Sequence, residues 1–478
     1  MHSNSNFLSL FEACMGVSPT DGQRQAMDAI SDFVHQNSSD NELFILTGYA
    51  GTGKTTLVSA LVKVLHSFHR SCVLLAPTGR AAKVFASYSS QKAYTIHKLL
   101  YRVKKKEDVI LFSRRKNEFK NTIFLVDEVS MLSDARSDGM LFSSQTLLED
   151  LFSFVYEGEN CKLIFIGDDA QLPPVNATES PALNPEYLKQ SFNVTIYTAQ
   201  LLEVVRQSLD SGILYNANRL RGKIKHEQFS YPLFTLRDFQ DFQSIDGRDL
   251  EEQLNSLYAH YGSEEVVVIT RSNKRAYSFN SEIRNRIFFR ENRIATGDYI
   301  MAVKNNYFWI DESSEVGFIA NGDIMEIVAI NSIRELYGFS FADVTVRLCD
   351  YPNYPTIDIK LWLESLGSEE ASLPYEKLNL LYHAVAEDYA DIQNKRKRYL
   401  AIKNDPYLNA VQVKFAYSLT CHKTQGGQWK VVMIDRGYAT ADNSDKEYLR
   451  WLYTAVTRAS EKVYLINFQE DVFETESF

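Results

Sequence analysis

The sequence predicts an α/β protein made of two tandem parallel-sheet domains, with a small β module set into the second. Three observations carry this. Short continuous apolar runs recur at Leu43–Thr47, Cys72–Ala76, Ile123–Val126, Leu163–Ile166, Val266–Thr270, Val431–Ile434 and Val463–Ile466. A strand that is apolar on both faces belongs inside a sheet covered by helices on both sides, which is the parallel arrangement. Four of these runs precede residue 200 and three follow residue 260, so they divide between two sheets. Finally, Ile294–Ile330 reads differently. Its turn pairs at Thr296-Gly-Asp298, Asn305-Asn306 and Asn321-Gly-Asp323 separate short alternating runs, the pattern of an antiparallel module.

Composition agrees with this organisation. At roughly 150 residues per domain, 478 residues suggest about three domains. Hydrophobic residues at 45% and charged residues at 23% exclude a disordered chain. The five cysteines lie far apart without a C-x-x-C pair, which predicts a reducing, cytoplasmic setting and no structural zinc. The N-terminus shows no basic start before an apolar stretch, and no 18 apolar residues run together, so neither a signal peptide nor a membrane span is expected. A formal charge of −10 argues against indiscriminate coating of nucleic acid. It leaves room for a local basic groove, because salt confines fields to about 10 Å.

Two segments stand apart. Tyr101–Lys120 carries eight basic and three acidic residues between two predicted core strands. Pro374–Lys403 spaces Leu378, Leu381, Tyr382, Val385, Tyr389 and Ile392 three to four apart and adds a Lys395-Arg-Lys-Arg398 run, which predicts an amphipathic helix with a solvated basic end.

The strongest chemical signal is Gly48-Tyr-Ala-Gly-Thr-Gly53-Lys54-Thr55, a G-x-x-x-x-G-K-[ST] loop between an apolar strand and a helix with Val58, Leu61, Val62, Leu65 and Phe68 on one face. The backbone N–H groups of Ala50, Gly51, Thr52, Gly53 and Thr56 can curl around phosphate oxygens. Lys54 adds a full positive charge, and the Thr55 hydroxyl is placed for Mg²⁺. Phosphate-bound Mg²⁺ needs a carboxylate at a neighbouring strand end, and Ile123-Phe-Leu-Val-Asp127-Glu128 supplies one. Asp127 is the metal candidate. Glu128, in the loop beyond the strand, can orient and deprotonate water. A third strand ends in Gly167-Asp-Asp-Ala-Gln171, whose amide can sense a γ-phosphate.

These strings together resemble a superfamily 1 DNA helicase of the RecD-like and phage Dda-like branch (superfamily 1B). Gln23 resembles the adenine-reading glutamine, and Gly48–Thr55 the first motif. Ala76-Pro77-Thr78-Gly-Arg-Ala-Ala82 and Thr95-Ile-His97-Lys98 resemble strand-contacting motifs. Val126–Met131, Gly167–Val175, Val205-Arg206-Gln207, Leu419–Gly426 and Tyr453–Ala459 resemble the remaining motifs in family order. The resemblance implies two RecA-like motor domains: 1A over 1–205, with an insertion 1B at about 101–120, and 2A over 206–295 and 411–478. It implies an insertion 2B over 296–410 containing an SH3-like β module. Arg206 and Arg458 become arginine fingers on the γ-phosphate. Pro77, Thr78, Thr95, His97, Thr270, Thr420, His422 and Lys423 become the single-strand track. Gly426 and Gln428 lie beside the nucleotide, where relatives often carry an acidic residue for the ribose. The basic 101–120 segment takes the place of a strand-separating pin, with a solvated loop as its equal alternative, and 351–410 has no assigned role.

The resemblance also implies an ATP- and Mg²⁺-dependent monomer that moves 5′ to 3′ on single-stranded DNA, unwinds forks and has no nuclease activity. Such an enzyme would act in repair or recombination beside a single-strand-binding protein, and in the nucleoid if the source is prokaryotic. Two alternatives stay open on the residues: an RNA helicase, or an ATP-binding accessory subunit that binds DNA without unwinding it.

Overall fold

The computed structural model describes residues 4–36, 41–106, 109–135, 146–203, 210–230, 232–236, 239–311, 314, 316–437 and 445–474. Two parallel sheets organise it. The first has the strand order Ala93–Thr95, Ser71–Ala76, Thr122–Val126, Lys162–Gly167, Glu42–Gly48, Thr195–Leu201. The second has the order Ser418–Thr420, Val266–Thr270, Trp429–Asp435, Ala459–Ile466, Phe242–Ile245.

Every interior strand of both sheets coincides with an apolar run, and every strand missing from the sequence reading is an edge. The reason is physical. An interior strand is covered on both faces and reads as continuous hydrophobicity. The edge strand Thr195–Leu201 is half-exposed, and Ala93–Thr95 and Ser418–Thr420 have only three residues each.

Each sheet separates two apolar clusters. On one face of the first, Leu57, Val58, Leu61, Val62 and Leu65 of helix Lys54–Ser67 pack on Phe44, Leu46 and Ile164. The other face buries Leu148, Leu151, Phe152 and Val155 of helix Leu147–Glu157, whose start is fixed by a capping box between Thr146 and Glu149. The second sheet is covered by helix Lys446–Val456, nine of whose residues are buried. Its apolar cluster also takes in Tyr49, Ala170 and Leu172 of the first domain, so the two domains share a core beside the phosphate loop.

Between the halves of the second domain lies a closed barrel of strands Tyr299–Ala302, Ile324–Leu336, Phe339–Leu348, Ile357–Trp362 and Val411–Phe415. The long hairpin turns at Tyr337 and Gly338, both with positive φ, which suits the twist of a two-residue turn. The module is larger than the Ile294–Ile330 signal and not wholly antiparallel. It closes through a parallel pairing of Leu361 with Val411, which requires a long crossover. Because Val411–Phe415 is a barrel strand, the barrel extends past residue 410, where the sequence placed the return to the motor domain.

That crossover corrects another expectation. Pro374–Lys403 is not one helix but two, Tyr375–Asp388 and Lys395–Lys403, the second begun by the Asn394 side chain accepting from Arg396 and Lys397 backbone N–H groups. In the 101–120 segment, Tyr101–Lys106 and Val109–Arg114 pair as an antiparallel hairpin. No helix among the described residues is long and apolar enough to cross a membrane. All five cysteines are free thiols.

Candidate functional site

The phosphate loop is shaped by Gly51 and Gly53, both at φ +76°, where an L side chain would be strained. Lys54 Nζ donates to Gly48 O at 2.7 Å and lies 3.4 Å from Gly167 O, so the ammonium is held inside the loop. Thr55 and Thr56 stand exposed at the start of the following helix. Gln23 is buried and doubly engaged. Its Oε1 accepts from Thr20 N, and its Nε2 donates to Thr52 O at 2.9 Å, bracing the loop.

Strand Thr122–Val126 ends one residue before Asp127, and Glu128 follows in a left-handed turn at φ 52°. That turn puts the two carboxylates next to each other at the C-terminal end of an interior strand. Asp127 accepts from Tyr88 Oη at 2.6 Å and from Glu128 N at 2.8 Å. Burial, with the Glu128 charge adding to it, pushes its carboxyl up to about 6. Two crowded carboxylates next to a phosphate loop form a donor set that a divalent cation would neutralise. Mg²⁺ habitually takes one or two carboxylates and leaves its other positions to water and phosphate. Asp127 and the Thr55 hydroxyl therefore fit the ion. No cluster of three or more His, Cys, Asp or Glu side chains that could hold a metal by themselves occurs among the described residues.

The second domain meets this site directly. Arg458 is buried, with Nη1 3.6 Å from Glu128 Oε1 and 3.3 Å from Gly427 O, while its Nε is enclosed without a partner. Tyr453 Oη donates to Asp168 Oδ2 at 2.6 Å and accepts from Ala50 N of the phosphate loop at 2.9 Å. Thr454 Oγ1 accepts from Leu172 N, and Gln425 Nε2 donates to Leu172 O. Arg450 donates to Asp169 O and Thr178 O. Gln171 is buried among these contacts with its Oε1 unpartnered. Arg206 lies outside the described residues.

A second group of predicted residues occupies helix starts and strand ends of both domains. Thr78 and Thr95 cap the helices Gly79–Ser89 and Ile96–Leu100, accepting from Ala81 N and Lys98 N, with Pro77 half-buried beside Thr78. Gly426 lies against Thr78 and Ala81. Arg80 stacks 3.8 Å from the Trp429 ring and donates to Gln428 O at 2.8 Å. Thr270 is fully buried and donates to Ser272 O. Thr420 and Lys423 line one small cavity together with Lys414. Burial lowers both lysines to about 8, and the Lys423 charge adds to the effect on Lys414, so an anion there would relieve desolvation and repulsion together. His97 and His422 are both pushed down by burial, His97 to about 4 with Nε2 enclosed. Burial thus favours the neutral form of both rings.

Sequence reasoning missed Tyr88, Asp168, Lys414, Arg450, Tyr453 and Thr454 as contributors. Tyr453, Thr454 and Asp168 lie inside motifs named above, but their partners are hundreds of residues away in the chain. A phosphate loop, a carboxylate pair and a facing arginine between two parallel-sheet domains define a two-domain P-loop motor ATPase.

Comparison with known proteins narrows the class. Residues 19–230 match the family described as AAA domain, and residues 415–466 match the UvrD-like helicase C-terminal domain. The chain is 26% identical to the ATP-dependent DNA helicase dda of Enterobacteria phage T4, over 94% of this chain and 99% of that one. It is 28% identical to the ATP-dependent RecD2 DNA helicase of Deinococcus radiodurans, over 37% of this chain and 24% of that one. Among solved structures, the Pif1 helicase from Bacteroides in complex with ADP-AlF3 and ssDNA aligns at a TM-score of 0.47 and 16% identity, over 96% and 95% of the two chains. Together these matches indicate a superfamily 1B ATP-dependent DNA helicase, similar to the RecD-like and Dda-like enzymes.

Proposed function

We propose that the protein translocates 5′ to 3′ on single-stranded DNA, coupled to hydrolysis of Mg²⁺-bound ATP, and unwinds forked duplex ahead of it without cutting. The observation that best supports this reading is Arg458. A cation from the second domain stands 3.6 Å from the water-activating candidate Glu128 of the first, and a nucleotide-binding module alone has no use for such a contact.

In this reading Lys54 and the loop amides hold the phosphates, and Asp127 and Thr55 would hold Mg²⁺, which would offset phosphate charge when bound. Bound triphosphate draws Arg458 from Glu128 to the γ-phosphate, which frees the carboxylate to take a proton from the attacking water. Gln171 orients that water, and Arg206 adds a second guanidinium. Gln23 reads adenine after exchanging its bond to Thr52. Loss of the γ-phosphate removes the anion that drew the domains together. The strand held by Thr78, Thr95, Thr420 and Lys423 is then gripped alternately by each domain. The domain limits proposed are 1A over 1–205, 2A over 206–295 with the C-terminal segment, and 2B between them.

ATP turnover measured with and without single-stranded DNA tests the motor. Stimulation is expected, and turnover indifferent to DNA refutes it. Forks tailed at the 5′ or 3′ end test direction, and unwinding of only the 3′-tailed fork reverses the assigned polarity. An end-labelled strand that stays intact supports the absence of cutting.

A further inference from the structure

The crossover between barrel strands Ile357–Trp362 and Val411–Phe415 carries an open groove that the motor reading does not use. It consists of two adjoining cavities of about 480 and 270 Å³, which share Leu378, Lys403, Leu408 and Asn409 in their walls. Three tyrosines of the helix pair line the larger one, and all are exposed: Tyr375 at 76%, Tyr399 at 49% and Tyr382 at 39%. Tyr307 and Phe308 line the smaller.

The charge lining this groove is one-sided. In a protein of net charge −10, the two cavities are lined by Lys304 and Lys403 and, among the described residues, by no carboxylate. The helix that presents Tyr399 and Lys403 begins with Lys395, Arg396 and Lys397, all exposed. On the neighbouring helix, Asp388 is bonded to Tyr337 on the hairpin. The Asn379 side-chain amide adds polarity to the larger cavity, whereas Asn305 and Gln412 in the smaller are engaged by Tyr307, Asn321 and Leu373.

Exposed aromatic faces and lysines without carboxylates are the components of a single-strand nucleic-acid site. Ring faces stack on bases and cations take phosphates. Three exposed rings clustered in one groove mark an interaction surface, and a base offers each a stacking face. We propose that this groove, formed by Tyr375, Tyr382, Tyr399, Lys304 and Lys403, is a second binding site for single-stranded DNA, separate from the motor track at Thr420 and Lys423. The inference rests on the helicase reading only for the identity of the strand.

The test is photocrosslinking of the full chain to an oligothymidylate of about 30 nucleotides bearing 5-iodouracil, longer than a single site of about 4–16 nucleotides. Crosslinks are expected on Tyr375, Tyr382 or Tyr399 as well as near Lys423. Replacing the three tyrosines by alanine leaves no internal cavity, because all are exposed. It should weaken the long oligonucleotide by about tenfold or more, at one lost stack per tyrosine. Stimulation of ATP turnover by a short oligothymidylate of about 8 nucleotides, enough for the motor track alone, should persist. The Tyr375→Phe, Tyr382→Phe, Tyr399→Phe variant keeps the ring faces and should bind like the parent.

Crosslinks confined to the motor track, with unchanged affinity in the alanine variant, overturn the proposal. Loss of short-strand stimulation in that variant overturns it too, since the groove would then belong to the track. An Asp/Glu-rich peptide that binds the groove where no oligonucleotide crosslinks would assign it to a protein partner instead. Failure of the motor reading is recognised separately, by turnover of the parent protein that no DNA stimulates.

Discussion

Replacing Tyr453 by phenylalanine removes one oxygen and leaves a fully buried ring in place. That oxygen makes two bonds between the domains, to the Asp168 carboxylate at 2.6 Å and from the Ala50 amide at 2.9 Å. Asp168 is buried, which raises its carboxyl pKa; with the carboxylate ionised the bond is charge-assisted and contributes about 1.5–3 kcal/mol. The Ala50 amide lies in a half-exposed loop where water can replace the hydroxyl, and it adds little. A loss of about 2 kcal/mol confined to the interface shifts the docked arrangement by roughly 30-fold. The assay is a double-mutant cycle of Tyr453→Phe with Asp168→Asn, read in DNA-stimulated kcat/KM for ATP. Each single variant should lose about 10- to 100-fold, and the pair little more than one alone, a coupling of about 1.5–3 kcal/mol. Additive losses, or a Tyr453→Phe variant within twofold of the parent, would refute the view that this hydroxyl ties the domains together.

Other residues make separable predictions. Lys54→Ala should abolish turnover while leaving strand affinity within about twofold, because the ammonium bonds only loop and strand-end carbonyls; filter binding beside an ATPase assay checks both. Lys423→Gln should weaken oligonucleotide binding and lower the slope of log affinity against log salt by about 1; an unchanged slope would remove it from the phosphate contacts. Asp323 accepts from Ala320 N, and burial pushes its carboxyl up to about 8. The unfolded chain loses this proton near pH 4 and the folded chain near pH 8. Between those values the native state binds more protons, so stability falls as pH rises, by up to about 1.4 kcal/mol per unit. Asp323→Asn should flatten that fall in urea titrations run from pH 5 to 8, and a parallel curve for the variant would contradict the burial argument.

The site divides into what is locally encoded and what is not. The phosphate loop is legible because contiguous backbone makes it: glycines at fixed offsets, then a helix start, with no distant partner needed. Asp127 and Glu128 are legible because a buried strand announces its own end. Tyr88 is invisible, since its bond to Asp127 spans 39 positions and depends on how helix Gly79–Ser89 lies on the sheet. The helix pair at 375–403 reads as a single helix because hydrophobic spacing persists through Tyr389 and Ile392. The Asn394 cap that restarts the chain breaks no apolar pattern, so spacing alone does not reveal it.

The amino-acid order by itself determined which segments become interior strands, where the phosphate loop sits and which carboxylates follow it. Those features depend on local backbone geometry and on apolar runs that water excludes wherever they occur. Tertiary structure alone decided which edge strands complete the sheets, how the barrel closes and which side chains face one another across the cleft. Tyr453 reaches Ala50 across 403 positions, and Arg458 reaches Glu128 across a domain boundary. Such pairings follow from the packing of whole sheets against a shared core, and packing is a property of surfaces that no stretch of sequence contains.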